Sequence, residues 1–274
     1  MKVRMYNVGF GDCFCLRDRK KSLLVDFGTN NSRIEGRPRR EIFDVIISDL
    51  STIKSKNLLL THFHMDHLSG LLYMMKKKDI SVDFGKIYLP DVFSKKEMSR
   101  TLVLLLLADL LKESGLPSRQ VSLFALVDAL LENKQNLELL SRGKLFENKY
   151  QALWPDTDVI RKETDEVYNR ICEDGKFKEV MDVLLEFAEK LRLIVWSMTA
   201  EGNKPAETVE KETDSTASEL TEQPEVRQKI IRAYVYEREF RRIKALPDFK
   251  KLLAWLNENQ INPVSYTHLR AHET

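Results

Sequence analysis

Hydrophobic and polar positions alternate along the first 30 residues in the way that is typical of β-strands. Lys2 to Val8 alternates, Cys13 to Leu16 continues extended after a glycine turn, and Ser22 to Phe27 is an apolar run. A polar connection at 18–21 separates the second run from the third and predicts a hairpin there. We therefore expect three strands before residue 30.

Further along, predicted helices alternate with predicted buried strands. In order, the pattern predicts a charged loop at 30–40, a helix at roughly 40–53, a strand at 57–61, a loop at 62–67, a helix at 68–77 and a strand at 86–89 that Pro90 stops. Such alternation favours layered α/β packing. Polar residues that follow a buried strand lie where folds of this kind place their chemistry.

Beyond residue 93 the spacing of apolar residues becomes mainly helical. Helical spacing runs from Ser94 to about Ser141 and returns at 163–172 and 177–193, with one predicted strand near 149–155. The domain division that follows is an N-terminal α/β unit at 1–93, a mainly helical insertion at 94–200, a linker at 201–225, a helical segment at 226–263 and a tail at 264–274. The helical segment consists of two predicted amphipathic helices, at 227–245 and 248–259.

The linker and the tail are predicted from their composition. Residues 201–225 contain eight acidic residues, two lysines and no aromatic residue, so they cannot bury enough apolar area to offset the entropy of ordering. Residues 264–274, including His268 and His272, have no periodicity and resemble a translated adapter tail. We exclude such a tail from fold reasoning and expect the natural chain to continue beyond Pro263.

Net charge, apolar runs and cysteine content say little about which class of function the protein has. The net charge is +2, and the linker contributes −6, so the rest of the chain carries about +8 by subtraction, which weakly favours an anionic substrate or partner. Ordinary charged helix faces are the alternative explanation. The longest apolar run, Leu102 to Ala108, is far shorter than the roughly 20 residues of a membrane span. Three cysteines indicate no disulfide framework, so we expect a cytoplasmic protein.

The candidate chemistry lies in one short cluster. Of five histidines, three occur within six residues, in Thr61-His-Phe-His-Met-Asp-His67. Imidazole and carboxylate groups are preferred ligands of zinc and also suit iron or manganese. In an extended stretch His62 and His64 point the same way and can reach one ion, whereas Asp66 and His67 can face a second position. The alternative to a metal site is a surface turn whose histidines only form ordinary hydrogen bonds.

This cluster matches the HxHxDH signature, and the chain here resembles the metallo-β-lactamase superfamily. The stretches at 23–28, 58–61 and 68–70 are similar to the strands and the helix around that signature. The opening at 6–12 is similar to the hydrolase domain of competence-type DNA-uptake proteins. The resemblance covers residues 1–90, together with 150–155.

The resemblance implies a fold, a site and an activity. The fold would be α/β, the first half of an αββα metallo-β-lactamase sandwich with a large helical insertion. His62 and His64 would bind one metal ion with a later histidine, and Asp66 and His67 the other with a final histidine, while a further aspartate bridges both. Asp66 would also handle a proton, and Asp26 would either orient the motif loop or be a strand-end turn residue.

The function that we expect is therefore metal-dependent hydrolysis. The expected cofactor is two zinc ions, with manganese or iron as alternatives. Metal-activated water would attack an ester, amide or phosphodiester, with phosphodiester or nucleic acid as the first expectation and no membrane partner. The later ligands do not occur in this chain, which predicts weak metal binding and an inactive fragment. The alternative is a non-catalytic interaction protein with a vestigial metal half-site.

Overall fold

The computed structural model describes residues 1–18, 21–77, 83–113, 123–132, 136–173, 175–200, 241–259 and 261. Its strands are β1 (Lys2–Met5), β2 (Phe14–Asp18), β3 (Lys21–Val25), β4 (Arg33–Ile34), β5 (Arg37–Pro38), β6 (Ser55–Leu59), β7 (Ile87–Pro90), β8 (Leu137–Leu140), β9 (Leu145–Phe146) and β10 (Tyr150–Gln151). Its helices are α1 (Arg39–Ser51), α2 (Met65–Lys76), α3 (Ser99–Glu113), α4 (Leu123–Glu132), α5 (Thr157–Cys172), α6 (Lys178–Ser197) and α7 (Phe249–Glu258), with a 3₁₀ turn at Lys96–Met98. Residues 241–245 are helical as well.

Six strands form a central sheet in the order β1-β2-β3-β6-β7-β8. The first two pairings are antiparallel, and the three pairings from β3 to β8 are parallel. The predicted hairpin between the second and third strands is confirmed, because Asp18 pairs with Lys21. The mixed, mostly parallel sheet with helices confirms the predicted α/β class and is consistent with a metallo-β-lactamase-type sandwich.

The two faces of the sheet bury their side chains differently. Along β3 and β6, Leu24 and Leu58 are fully buried in a large apolar cluster that they share with the helices. Leu23 on β3 instead joins a smaller cluster on the opposite face, which contains Phe146 of the β9–β10 hairpin. Because neighbouring residues of a strand point to opposite faces, the helices cover one face and the hairpin covers part of the other.

Four predictions of secondary structure need correction. The predicted loop at 62–67 is too long, because α2 already begins at Met65. The helical spacing predicted up to Ser141 is wrong at its end, where Leu137–Leu140 forms β8. A short apolar run does not distinguish helix from strand, and here parallel pairing with β7 decides.

The third correction concerns the loop at 30–40, which contains the β4–β5 hairpin. The fourth concerns the single strand predicted for the insertion near 149–155: only Tyr150–Gln151 is a strand there, and it pairs with a further strand at Leu145–Phe146. The predicted helix at 248–259 is confirmed as Phe249–Glu258. The predicted linker at 201–225 and the tail at 264–274 lie outside the described residues. Within the described residues, no helix is both long enough and apolar enough to cross a membrane.

Candidate metal centre

Two neighbouring parallel strands deliver the candidate site to one edge of the sheet. β3 and β6 pair in register, with Val25 opposite Leu59, so the residues that follow the two strands leave the sheet side by side. The backbone N–H of Asp26 continues the ladder by donating to the carbonyl of Leu59 across 2.8 Å. Asp26 therefore lies next to the segment that starts at Thr61, at the carboxyl end of the strands.

Asp26 connects three parts of this edge. Its side chain is 3% exposed and accepts hydrogen bonds from the Thr61 backbone N–H (2.8 Å) and hydroxyl (2.7 Å). Its Oδ2 is also 2.9 Å from Nδ1 of His67. These bonds confirm that Asp26 orients the motif loop and is more than a strand-end turn residue. Its φ of +55° lies in the left-handed region, where aspartate is tolerated better than most residues.

The residues after β6 then turn into α2. His64 is the N-cap residue of α2, and its carbonyl accepts from the backbone N–H groups of His67 (3.0 Å) and Leu68 (3.2 Å). Asp66 and His67 consequently lie in the first helical turn. The helix brings their side chains back over the strand ends, toward His62.

The side chains of the motif do converge, as the spacing predicted. The rings of His62 and His67 have centroids 3.7 Å apart, and those of His62 and His64 are 4.6 Å apart. Nε2 of His67 is 3.8 Å from Oδ1 of Asp66. One donor atom from each of His62, Asp66 and His67 lies within 4.8 Å of the other two.

The grouping of these donors differs from the one expected from the sequence. The expectation paired His62 with His64, whereas the structure gathers His62 with Asp66 and His67. His64 is 8% exposed and lies beside His62. Which ion each residue binds remains a prediction.

Close backbone packing fixes α2 against β3. The carbonyl of Phe27 accepts from the N–H of Gly70 (2.8 Å), and the N–H of Phe27 donates to the carbonyl of His67 (2.7 Å). A Cβ on Gly28 would lie 2.6 Å from both the carbonyl oxygen of Met65 and the amide nitrogen of Leu68. Only glycine allows the first turn of α2 to approach the strand end so closely.

Asp12 is a member of the site that the sequence reasoning treated only as a turn residue. Its Oδ2 is 3.6 Å from Nδ1 of His67, and Asp12, Asp26 and His67 form a second group of donor atoms within 4.8 Å. The backbone N–H of Asp12 donates to the carbonyl of Asp66 (3.1 Å). Its position directly after Gly-Phe-Gly, in the turn between β1 and β2, is the signal that was available in the sequence.

The carboxylates around His67 set its charge. Burial acts to lower the pKa of His67, but the hydrogen bond to Asp26 and the charges of Asp26, Asp66 and Asp12 outweigh burial and raise it. Burial raises the pKa of Asp26, and the hydrogen bonds from His67 and Thr61 act against that rise. When Asp26 is ionised it can only accept, so Nδ1 of His67 donates and Nε2 is the ring nitrogen that would be available to a metal ion.

The donor set fits a transition metal. Two imidazoles and one carboxylate are a combination that catalytic zinc sites use, with a fourth position left for water or substrate. A buried carboxylate that fixes one of the imidazoles from behind is also a usual feature of such sites. The residues present therefore suit one zinc-like ion at His62, Asp66 and His67.

A family model described as the metallo-beta-lactamase superfamily matches residues 6–91. This stretch runs from the end of β1 to the end of β7 and contains all the donor residues named above. The site-bearing part of the chain is thus similar to a superfamily of typically metal-binding hydrolases, and the match does not single out the competence-type proteins. Comparison with curated proteins and with solved structures gives no match.

Proposed function

We propose that this protein is a metal-dependent hydrolase. The observation that carries the proposal is the convergence of His62, Asp66 and His67, whose donor atoms lie within 4.8 Å of one another at the carboxyl edge of the sheet. The superfamily match over residues 6–91 supports the same reaction class.

The residues that would hold metal are His62, Asp66 and His67, joined by His64 as the resemblance implies. Zinc is the proposed metal, with manganese or iron as alternatives. The converging donors account for one ion, and the second ion is what the resemblance implies. A bound zinc ion lowers the pKa of water from about 15.7 to about 7.

The protein's own groups would divide the remaining work. Asp26 holds His67 in the tautomer that presents Nε2, through the 2.9 Å contact to Nδ1. Asp66 is 30% exposed, so its carboxylate can receive a proton from solvent or substrate at Oδ1. Thr61 donates two hydrogen bonds to the Asp26 carboxylate. These bonds hold Asp26 in the position from which it contacts His67 on α2.

We propose a phosphodiester as the bond that is cleaved, ahead of a carboxylic ester or an amide. The positive charge of the chain outside residues 201–225, about +8 by subtraction of −6 from +2, supports an anionic substrate. The likeness of residues 6–12 to competence-type hydrolases supports the same choice.

The first experiment measures metal content and turnover together. The purified protein is analysed for bound metals, then assayed with bis(p-nitrophenyl) phosphate, p-nitrophenyl acetate and nitrocefin in the presence of zinc, manganese or iron. Because the later ligands that the resemblance implies do not occur in this chain, we expect weak metal binding and only slow, metal-dependent cleavage of the phosphodiester. Asp66→Asn and His62→Ala should lose both metal and activity by at least about 100-fold, since a direct ligand matters more than an outer-shell partner.

Asp158→Asn is the matched control, because Asp158 is likewise an acidic residue in the first turn of a helix but lies on α5. It should retain metal and activity. If no metal supports cleavage of any of the three substrates, the result instead favours the non-catalytic interaction protein. If Asp158→Asn loses as much metal and activity as Asp66→Asn, the losses reflect impaired folding, and Asp66 is not shown to be a metal ligand.

A further inference from the structure

Phe10 stands out among the large apolar side chains of the described residues, because it is 80% exposed. Its backbone is nevertheless held on both sides. The N–H donates to Oδ1 of Asn31 (2.7 Å), and the carbonyl accepts from the N–H of Asn30 (2.9 Å). A fixed backbone with an exposed ring is expected where an aromatic side chain meets a ligand, since little entropy is lost on binding.

The loop that carries Phe10 also borders the metal centre. Two residues further along, Asp12 contacts His67 through its carboxylate and Asp66 through its backbone. Phe10 is thus joined to the proposed metal ligands by a short, hydrogen-bonded stretch of chain.

On its other side this loop is bonded to a strongly basic hairpin. Asn7 donates from Nδ2 to Oε1 of Glu35 (2.7 Å), at the tip between β4 and β5. The hairpin and the residues that follow it carry four exposed arginines, namely Arg33, Arg37, Arg39 and Arg40. Within the part of the chain that the structure describes, none of the four is in an ion pair.

The electrostatic repulsion among these arginines favours binding of an anionic ligand. Like charges on one short hairpin repel one another, and an anionic ligand would offset that repulsion. Arginine is well suited to bind phosphate, because its planar guanidinium donates two parallel hydrogen bonds. A row of phosphates with bases that stack on an aromatic ring matches the combination of arginines and Phe10.

We propose that Phe10 and these four arginines form a binding surface for single-stranded nucleic acid, here called the basic hairpin surface. The inference rests on the proposed function, since it names the substrate class of the same site. The arginines contact phosphates, Phe10 stacks on a base, and the strand continues past Asp12 toward His62, Asp66 and His67.

The test measures binding apart from hydrolysis. The full chain in EDTA is titrated into a fluorescein-labelled single-stranded DNA of about 16 nucleotides, the upper end of common site sizes, and anisotropy is recorded. Titrations between about 50 and 200 mM salt give the slope of log K against log salt. The unmodified protein should bind the DNA, and its affinity should fall as salt rises.

Phe10→Ala should weaken binding about tenfold without changing the salt slope, because stacking of one base is lost and no charge is removed. Phe10→Trp should restore affinity. Arg37→Gln with Arg40→Gln should reduce the slope by about 1.4, at about 0.7 for each lost phosphate contact with a single strand.

Lys2→Gln with Lys54→Gln is the matched control. Both lysines are exposed and lie at the amino ends of β1 and β6, the edge of the sheet opposite the site. A control that loses as much affinity as the arginine pair would overturn the proposal, as would heparin binding of equal strength with no effect of Phe10→Ala. Because the titration is run in EDTA, it reports binding alone. Normal binding there, combined with no cleavage in the separate assay with added metal, would refute the proposed function while leaving this surface intact.

Discussion

Oδ2 of Asp26 accepts a hydrogen bond from Nδ1 of His67 across 2.9 Å, although the two residues are 41 positions apart in the chain. The bond joins the end of β3 to the first turn of α2, and it fixes which nitrogen of His67 faces Asp66. Since Asp26 is buried and also holds Thr61, one carboxylate sets the position of both segments that carry the metal-binding motif.

Replacing Asp26 by asparagine should lower zinc affinity by about 10–100-fold, the usual effect of losing a partner behind a metal-binding histidine. The amide can still accept from Thr61, but it no longer carries the charge that holds the His67 N–H. Zinc affinity is measured by competition with a chromophoric chelator.

Asp91→Asn provides the comparison for that measurement. Asp91 is also a nearly buried aspartate at the carboxyl end of a strand, but its bonds go to Ser94. We expect Asp91→Asn to leave zinc affinity unchanged. An Asp26→Asn variant with normal affinity would show that the bond to His67 is structurally present but unimportant for the metal.

Gly28→Ala should destabilise the protein by about 1–3 kcal/mol, the range for overpacking at a tight contact. The added methyl group would meet backbone atoms of Met65 and Leu68 at 2.6 Å, and backbone cannot move aside as a side chain can. Zinc affinity should fall too, since α2 must shift. Urea unfolding and zinc titration measure the two effects.

Gly85→Ala is a milder substitution for comparison. Its nearest neighbour would be Oδ1 of the Asn57 side chain at 2.9 Å, with backbone no closer than 3.9 Å. If Gly85→Ala destabilises the protein as much as Gly28→Ala, close backbone approach is not what makes Gly28 necessary.

The strand and helix order around the site could be predicted from the sequence because its apolar periods are clear. The start of α2 could not, because His64, Met65 and Asp66 contain no signal that distinguishes a loop from a first helical turn. The structure resolves this through the carbonyl of His64, which accepts from His67 and Leu68.

Site residues that are close together in the sequence could be predicted from the motif. Site residues that only tertiary contacts bring together were harder to predict. His62, Asp66 and His67 are adjacent in sequence, so the motif reveals them. Asp12 approaches His67 only because the β1–β2 turn folds over the first turn of α2. Likewise, Leu137–Leu140 is a strand because β7 offers an edge for parallel pairing, which local spacing cannot show.

Asp49→Asn should make the protein less stable at neutral pH by about 1 kcal/mol, as expected for a partly exposed carboxylate with charged partners. Burial acts to raise the pKa of Asp49, but the hydrogen bond from Tyr6 and the charges of Arg4 and Arg17 outweigh it and lower the pKa. A lowered folded-state pKa gives stability that is complete above the unfolded-state pKa and is lost as pH falls through the folded-state value.

The difference between the unsubstituted protein and Asp49→Asn should therefore be constant above roughly pH 5 and shrink steadily as the pH falls below the unfolded-state pKa of about 3.9. Urea unfolding across this range measures it. Asp182→Asn, which removes an exposed i,i+4 ion pair with Lys178, should change stability much less at every pH. A difference that grows as pH falls would contradict the assignment to the Asp49 carboxylate.

Tyr88→Phe should destabilise the protein by about 1.5–3 kcal/mol, the range for a hydrogen bond to a charged group. The hydroxyl of Tyr88, a residue 2% exposed on β7, donates to Oε1 of Glu147 across 2.6 Å. Because Glu147 lies in the turn of the β9–β10 hairpin and also accepts from Asn57, this bond fixes the hairpin on the sheet.

Tyr150→Phe, in the same hairpin, is a control of the same chemical change. The hydroxyl of Tyr150 is 3.3 Å from Sδ of Met1, a weak acceptor, and also meets the exposed side chain of Lys149, so the loss should be a few tenths of a kcal/mol. Urea unfolding compares the two variants. Zinc affinity should be unchanged in both, because the hairpin covers the face of the sheet opposite the helices and contributes no donor atom to the groups around His67. Equal losses in the two tyrosine variants would mean that ring packing, and not the bond to Glu147, holds the hairpin.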